Sequence, residues 1–417
     1  MEKIKKILNE VLEEIQPGKN YEAEIFDKLN SIIKKINKSQ KYARALLGGS
    51  GAKGTWLKAF DADIFVLFNY KKFKDKSDKL SDFLEKILKK NFNKIIRLHG
   101  SRDYFQIKQN NFTFEIVPIL DIKRAEQAKN ITDVSPLHSK WVTKHRKLAN
   151  EMKLTKQFCQ AQNVYGAESY IRGFSGYVCE ILTVYYGSFL NLARKAARWQ
   201  DKVIIDVENY YRRKDIFKLI NTSKLASPLI VIDPVQRDRN ASAALGIEKF
   251  EQFKMAAKLF LKNPSKKFFY QQDLWKVYTQ AADSKNYKFL KIKVDTLSGK
   301  IDVVGSKLMK VFEYIKKEFE NHEFNIIRSD LEWDKNTSAN LYFLFSKNPF
   351  GKNVEIEGPP LRLESHVKRF KGIHKKTFKR SGKIFALEQR RFVVPEDLLK
   401  EVIKNQYVRE RTKSVIY

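Results

Sequence analysis

The chain has 417 residues, 43% hydrophobic and 13% aromatic, enough apolar material for roughly two to four cores, which excludes a globally disordered protein. No apolar run approaches the ~18 residues of a membrane span, and two cysteines without a CxxC pair exclude a disulfide scaffold and a zinc ribbon. With 81 Lys and Arg against 48 Asp and Glu, the formal charge of +33 favours polyanions, nucleic acid ahead of anionic membrane.

Ile4, Ile7, Leu8, Val11, Leu12 and Ile15 recur on one face of a first helix, which Pro17 and Gly18 stop. No signal-peptide apolar region precedes it, so the chain is expected in the cytoplasm. A second helix is expected over residues 21–36, strands over 45–47, 64–68 and 112–120, and a helix over 80–92. This order describes a compact α/β palm over residues 1–140. Residues 141–262 read as a mainly helical central domain, with 177–192 the clearest amphipathic run. Asn263, Pro264 and Ser265 mark a boundary. In residues 263–417 a strand (287–294), a helix (303–319) and a strand (341–345) give an α+β domain, ferredoxin-like or RNA-recognition-like, followed by a basic region over 361–392.

Asp61 and Asp63 open the second strand of the palm, where residues two apart share a face at a spacing of about 6.5 Å. Glu115 stands between Phe114 and Ile116 in an otherwise apolar strand, where a charge is costly unless something compensates it. Three carboxylates gathered on divalent cations meet that need, and Mg2+, which takes oxygen ligands and keeps waters and phosphates, suits them. Upstream, Gly48-Gly49-Ser50 is a turn whose backbone N–H groups and Ser50 hydroxyl suit a phosphate. It is no Walker loop, because Gly51-Ala52-Lys53-Gly54-Thr55 lacks the GK[ST] ending. His99, His145, His322, His366 and His374 show no metal-ligand spacing.

The pattern of a Gly-Gly-Ser turn, an Asp-x-Asp and a Glu within an apolar strand resembles the polymerase-β-like nucleotidyltransferase superfamily. More narrowly, the stretch from Gly49-Ser50 through Lys53 to Lys58 resembles the archaeal, class I CCA-adding tRNA nucleotidyltransferases. So do Ser135-Pro136-Leu137-His138, Tyr165-Gly166-Ala167-Glu168, Arg172-Gly173-Phe174-Ser175-Gly176-Tyr177-Val178-Cys179-Glu180, and Asp233-Pro234-Val235 with Arg239-Asn240. The resemblance runs in order over nearly the whole chain. It implies a polymerase-β-like palm, a helical central domain and an α+β C-terminal domain. It also implies template-independent addition of CMP and AMP, from CTP and ATP, to the 3′ end of tRNA, with release of pyrophosphate. On this resemblance Asp61, Asp63 and Glu115 hold the catalytic Mg2+ ions. Ser50, Lys53, His138, Lys156 and Tyr165 grip the triphosphate, Ser135 lies near the ribose, and Arg239 reads the base edge. The implied partners are the tRNA acceptor stem, ATP, CTP and a second copy of the chain in a homodimer, with no membrane. Lys53 stands where Arg is frequent in the family, and Glu115 where Asp is usual.

Two other readings share these residues. A poly(A) polymerase or an oligoadenylate synthetase-like enzyme uses the same palm, and product length separates it from an enzyme that stops after three additions. A catalytically inactive RNA-binding protein keeps the fold, yet has no reason to keep Glu115 inside an apolar strand. In the basic region over residues 362–391, which holds His366, Lys368, Arg369, Lys371, Lys375, Lys376, Lys379, Arg380, Lys383, Arg390 and Arg391, several of the lysines and arginines are expected to contact tRNA phosphates, and the phenylalanines among them to fill a local core.

Overall fold

Helices α1 (Glu2–Ile15) and α2 (Lys19–Lys38) follow the N-terminal apolar periodicity and part at Pro17-Gly18. They begin a computed structural model that describes residues 2–58, 62–110, 112–212, 216–284, 286–346 and 353–417. β1 (Ala43–Leu47) runs into a short helix, α3 (Gly49–Lys53), and β2 (Ala62–Asn69) returns antiparallel to β1 with Ile64 opposite Leu47. After α4 (Tyr70–Phe73) and α5 (Leu80–Lys89) come β3 (Ile96–Leu98), β4 (Tyr104–Gln109) and β5 (Phe112–Asp121). One sheet results, in the order β1-β2-β5-β4-β3, with β2 and β5 parallel and the other pairs antiparallel. The β3–β4 hairpin was not foreseen.

Strand alternation decides which residues reach the site. Ile64, Val66 and Phe68 of β2 and Phe114 and Ile116 of β5 are buried against Ile25, Leu29 and Ile32 of α2 and Leu84 of α5. The residues between them, Asp63 and Glu115 included, therefore emerge on the opposite face.

The next segment holds α6 (Ser135–Lys144), α7 (Ala149–Ala161), α8 (Gly176–Tyr186) and α9 (Phe189–Ala196). It continues with β6 (Val203–Ile205), α10 (Ile216–Leu219), β7 (Leu229–Val231) parallel to β6, and α11 (Ile247–Lys262). The run 177–192, expected as one helix, is two. Gly187 takes a left-handed φ of +78° and closes α8, and the Ser188 side chain accepts from the Asn191 N–H to start α9. The core here is aromatic: the Phe158 ring lies 5.2–6.0 Å from those of Phe189, Phe253, Phe260 and Phe269. Full burial of each such ring contributes about 2–3 kcal/mol. Leu8, Val11 and Ile15 of α1 are buried in this same core with Met152 and Phe158, so the first helix packs with the helical segment rather than with the sheet. Cys159 and Cys179 are free thiols inside it, their sulfurs 3.7 Å apart.

The chain divides into two compact units, Met1–Gln271 and Gln272–Tyr417. Palm and helical segment share the first. The second opens with α12 (Leu274–Ala282), β8 (Tyr287–Asp295), α13 (Ile301–Asn321), β9 (Ile326–Trp333) and β10 (Ser338–Ser346). There follow β11 (Asn353–Pro360), α14 (Glu364–Ile373), β12 (Thr377–Arg380), β13 (Lys383–Gln389), α15 (Pro395–Val402), α16 (Gln406–Arg409) and β14 (Ser414–Ile416). An antiparallel sheet, β14-β8-β10-β9, is covered on both faces: Leu341, Phe343 and Phe345 face α13, whereas Tyr342 and Leu344 face α12. This is the expected α+β arrangement. The basic region forms a separate sheet, β11-β13-β12, with α14 packed on β11.

Candidate active site

Asp63 of β2 and Glu115 of β5 are register partners on adjacent parallel strands, and Gln106 of β4 is the partner of Glu115 on its other side. All three side chains stand on one face of the sheet, with strands about 4.8 Å apart. The Gln106 amide donates to Glu115 Oε1 at 2.9 Å, so the longer arm of a glutamate is held at one oxygen. Asp61, two residues before Asp63, lies outside the described residues. Carboxylate oxygens presented side by side from neighbouring strands fit a hard divalent cation.

The Gly48-Gly49 turn is welded to this pair. The Gly48 N–H donates to the Asp63 backbone oxygen at 2.8 Å. Gly49 has φ +52°, and a Cβ there would stand 1.6 Å from Asp63 Oδ2. Only glycine fits under that carboxylate. Ser50 follows in the first turn of α3, and Lys53 ends it.

Lys53 leads to a buried charge cluster. Its Nζ donates to Glu180 Oε2 of α8 at 2.8 Å, while Lys156 Nζ of α7 donates to Glu180 Oε1 at 2.6 Å. Thr55 Oγ1 donates to the same Oε1 at 2.6 Å. Burial alone would push the Glu180 carboxyl up, but the Lys156 and Lys53 ammoniums outweigh it and hold it at about 2. Lys156 also donates to Thr55 Oγ1 at 2.8 Å and Thr55 O at 3.3 Å, so its three N–H groups are all engaged by protein. Burial lowers its ammonium from the usual lysine range. Lys53 is the more open of the two lysines, with 11% side-chain exposure against 5%.

A second cluster gathers on Asp233, in the loop after β7. Its Oδ2 accepts from His138 Nε2 of α6 at 3.1 Å and from Arg239 Nη1 at 2.6 Å. Its Oδ1 accepts from the Tyr177 hydroxyl at 3.2 Å and the Val235 N–H at 2.8 Å. Asp233 is fully buried; burial would raise its carboxyl, and the bonds from His138, Val235 and Arg239 hold it at about 2 instead. The His138 ring stacks on Tyr177 at 4.1 Å. Lys53 Nζ lies 5.5 Å from the centre of the Tyr177 ring, so one tyrosine touches both clusters.

Tyr165 pairs with Phe174 in an isolated bridge and lies under the start of α8, where a Cβ on Gly176 would come within 2.7 Å of its hydroxyl. Burial raises that hydroxyl above the ordinary tyrosine range. Ser135 begins α6, half-buried, two residues after Asp133. Asp133 is anchored by the N–H groups of Leu120, Lys129 and Asn130 and by the buried Arg102.

The structure thus joins Lys53 to Lys156 through Glu180, and His138 to Arg239 through Asp233. Sequence reasoning gave roles to these four basic side chains and none to the two carboxylates that join them. Glu180 carried the same signal as Glu115, a charge within an apolar run (Val178-Cys179-Glu180-Ile181-Leu182). Gln106 carried none.

The chain matches the nucleotidyltransferase domain over residues 27–133, the second domain of tRNA nucleotidyltransferases over 150–270, and the C-terminal domain of CCA-adding enzymes over 288–410. It is 34% identical over 369 residues to a CCA-adding enzyme of Nanoarchaeum equitans, covering 88% of this chain and 89% of that one. To a CCA-adding enzyme of Methanocaldococcus jannaschii it is 32% identical over 440 residues, covering 99% and 95%. Among solved structures, a cytoplasmic RNA terminal U-transferase superposes with a TM-score of 0.50 at 14% identity, covering 65% of this chain and 99% of that one, a likeness of fold alone. No helix among the described residues is long and apolar enough to cross a membrane. With its site built on a nucleotidyltransferase palm and its sequence matched to these relatives almost end to end, the chain belongs to the archaeal CCA-adding tRNA nucleotidyltransferase family.

Proposed function

We infer that this chain rebuilds or completes the CCA end of tRNA, transferring CMP and AMP from CTP and ATP without a template and releasing pyrophosphate. The observation that carries the reading is the Asp63–Glu115 register, with Gly49 locked beneath one carboxylate and Gln106 holding the other. In it, Asp63 and Glu115, with Asp61, would hold Mg2+, which would supply Lewis-acid activation of the RNA 3′-hydroxyl and charge neutralisation at the phosphates. The Gly48 N–H is spent on Asp63, so the Gly49 N–H and the Ser50 hydroxyl receive the triphosphate, and Lys53 adds its charge. Lys156 contributes positive charge from behind Thr55, and Tyr165 bounds the triphosphate pocket. His138 contacts the phosphates, Ser135 approaches the ribose, and Arg239 offers its fork to acceptors on cytosine and adenine. In-line attack then needs no dedicated general base, because positioning and charge stabilisation do most of the work.

We further propose three functional segments, 1–140, 141–262 and 263–417, with the last gripping tRNA through its phosphates. Lys368, Arg369, Lys371, Lys375, Lys376 and Lys379 are exposed there, whereas Arg380, Lys383, Arg390 and Arg391 are tied to Glu355, Glu357, Glu323 and Glu401. A homodimer working in the cytoplasm completes the reading. The test is incubation with tRNA transcripts lacking A, CA or CCA, with CTP and ATP supplied singly and together. Addition that stops at CCA supports the function. Long homopolymer tails identify a poly(A) polymerase, and no incorporation identifies an inactive RNA-binding protein.

A further inference from the structure

The carboxylate at the centre of the second cluster has more partners than its own loop requires. Asp233 closes that loop with the Val235 and Gln236 N–H groups on Oδ1, and its own N–H donates to the Arg239 carbonyl at 3.0 Å. A turn needs nothing further. Yet Oδ2 binds two cationic or ionisable side chains, Arg239 from the same loop and His138 from α6. Asp233 is buried completely, whereas Arg239 keeps 28% and His138 12% side-chain exposure, so both partners reach outward from a hidden anchor.

Each contact restricts a functional degree of freedom. A guanidinium is planar, so fixing Nη1 fixes the plane in which its remaining donors lie. A histidine that donates from Nε2 presents Nδ1 on the opposite side of the ring, and the Tyr177 stack fixes the ring's tilt. Tyr177 is in turn held by its hydroxyl on Asp233 Oδ1.

We propose that Asp233 is the positioning residue of the nucleotide site, clamping Arg239 and His138 together so that base choice and triphosphate grip depend on one carboxylate. The proposal rests on the function inferred above and on the roles given there to Arg239 and His138. Asp233 touches no substrate in this scheme. It acts through the other two.

The experiment measures CMP, AMP, UMP and GMP addition to tRNA by the wild-type chain, Asp233→Asn, Arg239→Ala, His138→Ala, and the two double variants carrying Asp233→Asn. Asp233→Asn should raise KM for ATP and CTP about tenfold, more than it lowers kcat, and cost about tenfold in discrimination against UTP and GTP. In the Arg239→Ala background the same change should alter discrimination by less than about twofold, and in the His138→Ala background it should alter KM by less than about threefold, because coupled residues are not additive. Wild-type discrimination in Asp233→Asn, or full multiplication of the losses in the double variants, overturns the inference. Should Asp233→Asn fail to fold, Tyr177→Phe removes one hydrogen bond to Asp233 and keeps the ring stack. It should shift both ratios in the same direction by about twofold, and no shift overturns the proposal. A wild-type chain that adds neither CMP nor AMP overturns the function and this inference together. A wild-type chain that adds both, with additive variants, overturns the inference alone.

Discussion

Gly49 lies under the carboxylate of Asp63 so closely that a methyl group at its Cα would overlap Oδ2, at 1.6 Å. The backbone there is also left-handed, at φ +52°. Gly49→Ala therefore meets strain of about 1–3 kcal/mol and must displace the carboxylate as well. Nucleotide transfer should fall at least about a hundredfold, roughly the loss of one well-placed charge-stabilising group, while tRNA affinity stays at the wild-type level. Single-turnover incorporation beside a tRNA-binding isotherm checks this; transfer within about threefold of wild type would show that the turn does not set Asp63.

The register of Asp63 and Glu115 makes a graded prediction. Asp63→Ala and Glu115→Ala should each abolish incorporation, and each should weaken Mn2+ binding followed by electron paramagnetic resonance. Glu115→Asp keeps the charge but draws it back from Gln106 by one methylene. It should retain activity within about tenfold, the scale of one hydrogen bond to a charged group. Equal losses for Ala and Asp at this position would mean that reach, not charge, is what β5 supplies.

Glu180 predicts the acid limit of the fold. Its carboxyl titrates at about 2 in the structure against an ordinary 4.5. A folded value below the unfolded one adds stability that is complete above the unfolded value and drains away as pH falls through the folded one. The wild-type chain should therefore lose unfolding free energy between about pH 4.5 and 2 more steeply than Glu180→Gln. At neutral pH the variant should be less stable by about 3–5 kcal/mol, because two buried ammoniums lose their counter-charge. Urea titrations at several pH values read both effects, and parallel pH profiles would remove Glu180 from the stability argument.

The C-terminal basic sheet predicts a salt effect. Arg380 is engaged by Glu355 and lies 4.5 Å from the centre of the Phe385 ring, so it is a poor choice for neutralisation. Lys375, Lys376 and Lys379 are the exposed lysines at and just before β12. Changing all three to Gln should raise KM for tRNA and leave KM for ATP unchanged. Each lost phosphate contact should flatten the log–log salt slope of tRNA affinity by roughly 0.7–0.9. A slope equal to wild type would place the RNA grip elsewhere.

What the sequence disclosed follows from how far apart the cooperating residues lie. Asp63 and Glu115 were legible because each stands in an apolar strand, where a charge needs a reason. The strands at 64–68 and 112–120 were legible for the same apolar runs. Asp233 was not legible as an anchor, because its partners arrive from α6, α8 and its own loop, and no local pattern brings them together. The break at Gly187-Ser188 was missed because apolar residues continue across it and keep the helical period. The β11-β13-β12 sheet was missed although Val354-Glu355-Ile356-Glu357 alternates as a strand does; its charged face is paired by Arg380 on Glu355 and Lys383 on Glu357.

The parallel pairing of β2 with β5 has a kinetic consequence. Parallel neighbours cannot be joined by a tight turn, so α5, β3 and β4 must be laid down between Asp63 and Glu115 before the two strands can meet. The Asp63–Glu115 face is thus a non-local product of folding, absent from any intermediate that has formed only hairpins and isolated helices. While the chain emerges from a ribosome, the Gly48-Gly49 turn and Asp63 exist before their partner strand does. The Asp63–Glu115 face therefore forms only when the β4–β5 hairpin docks β5 alongside β2.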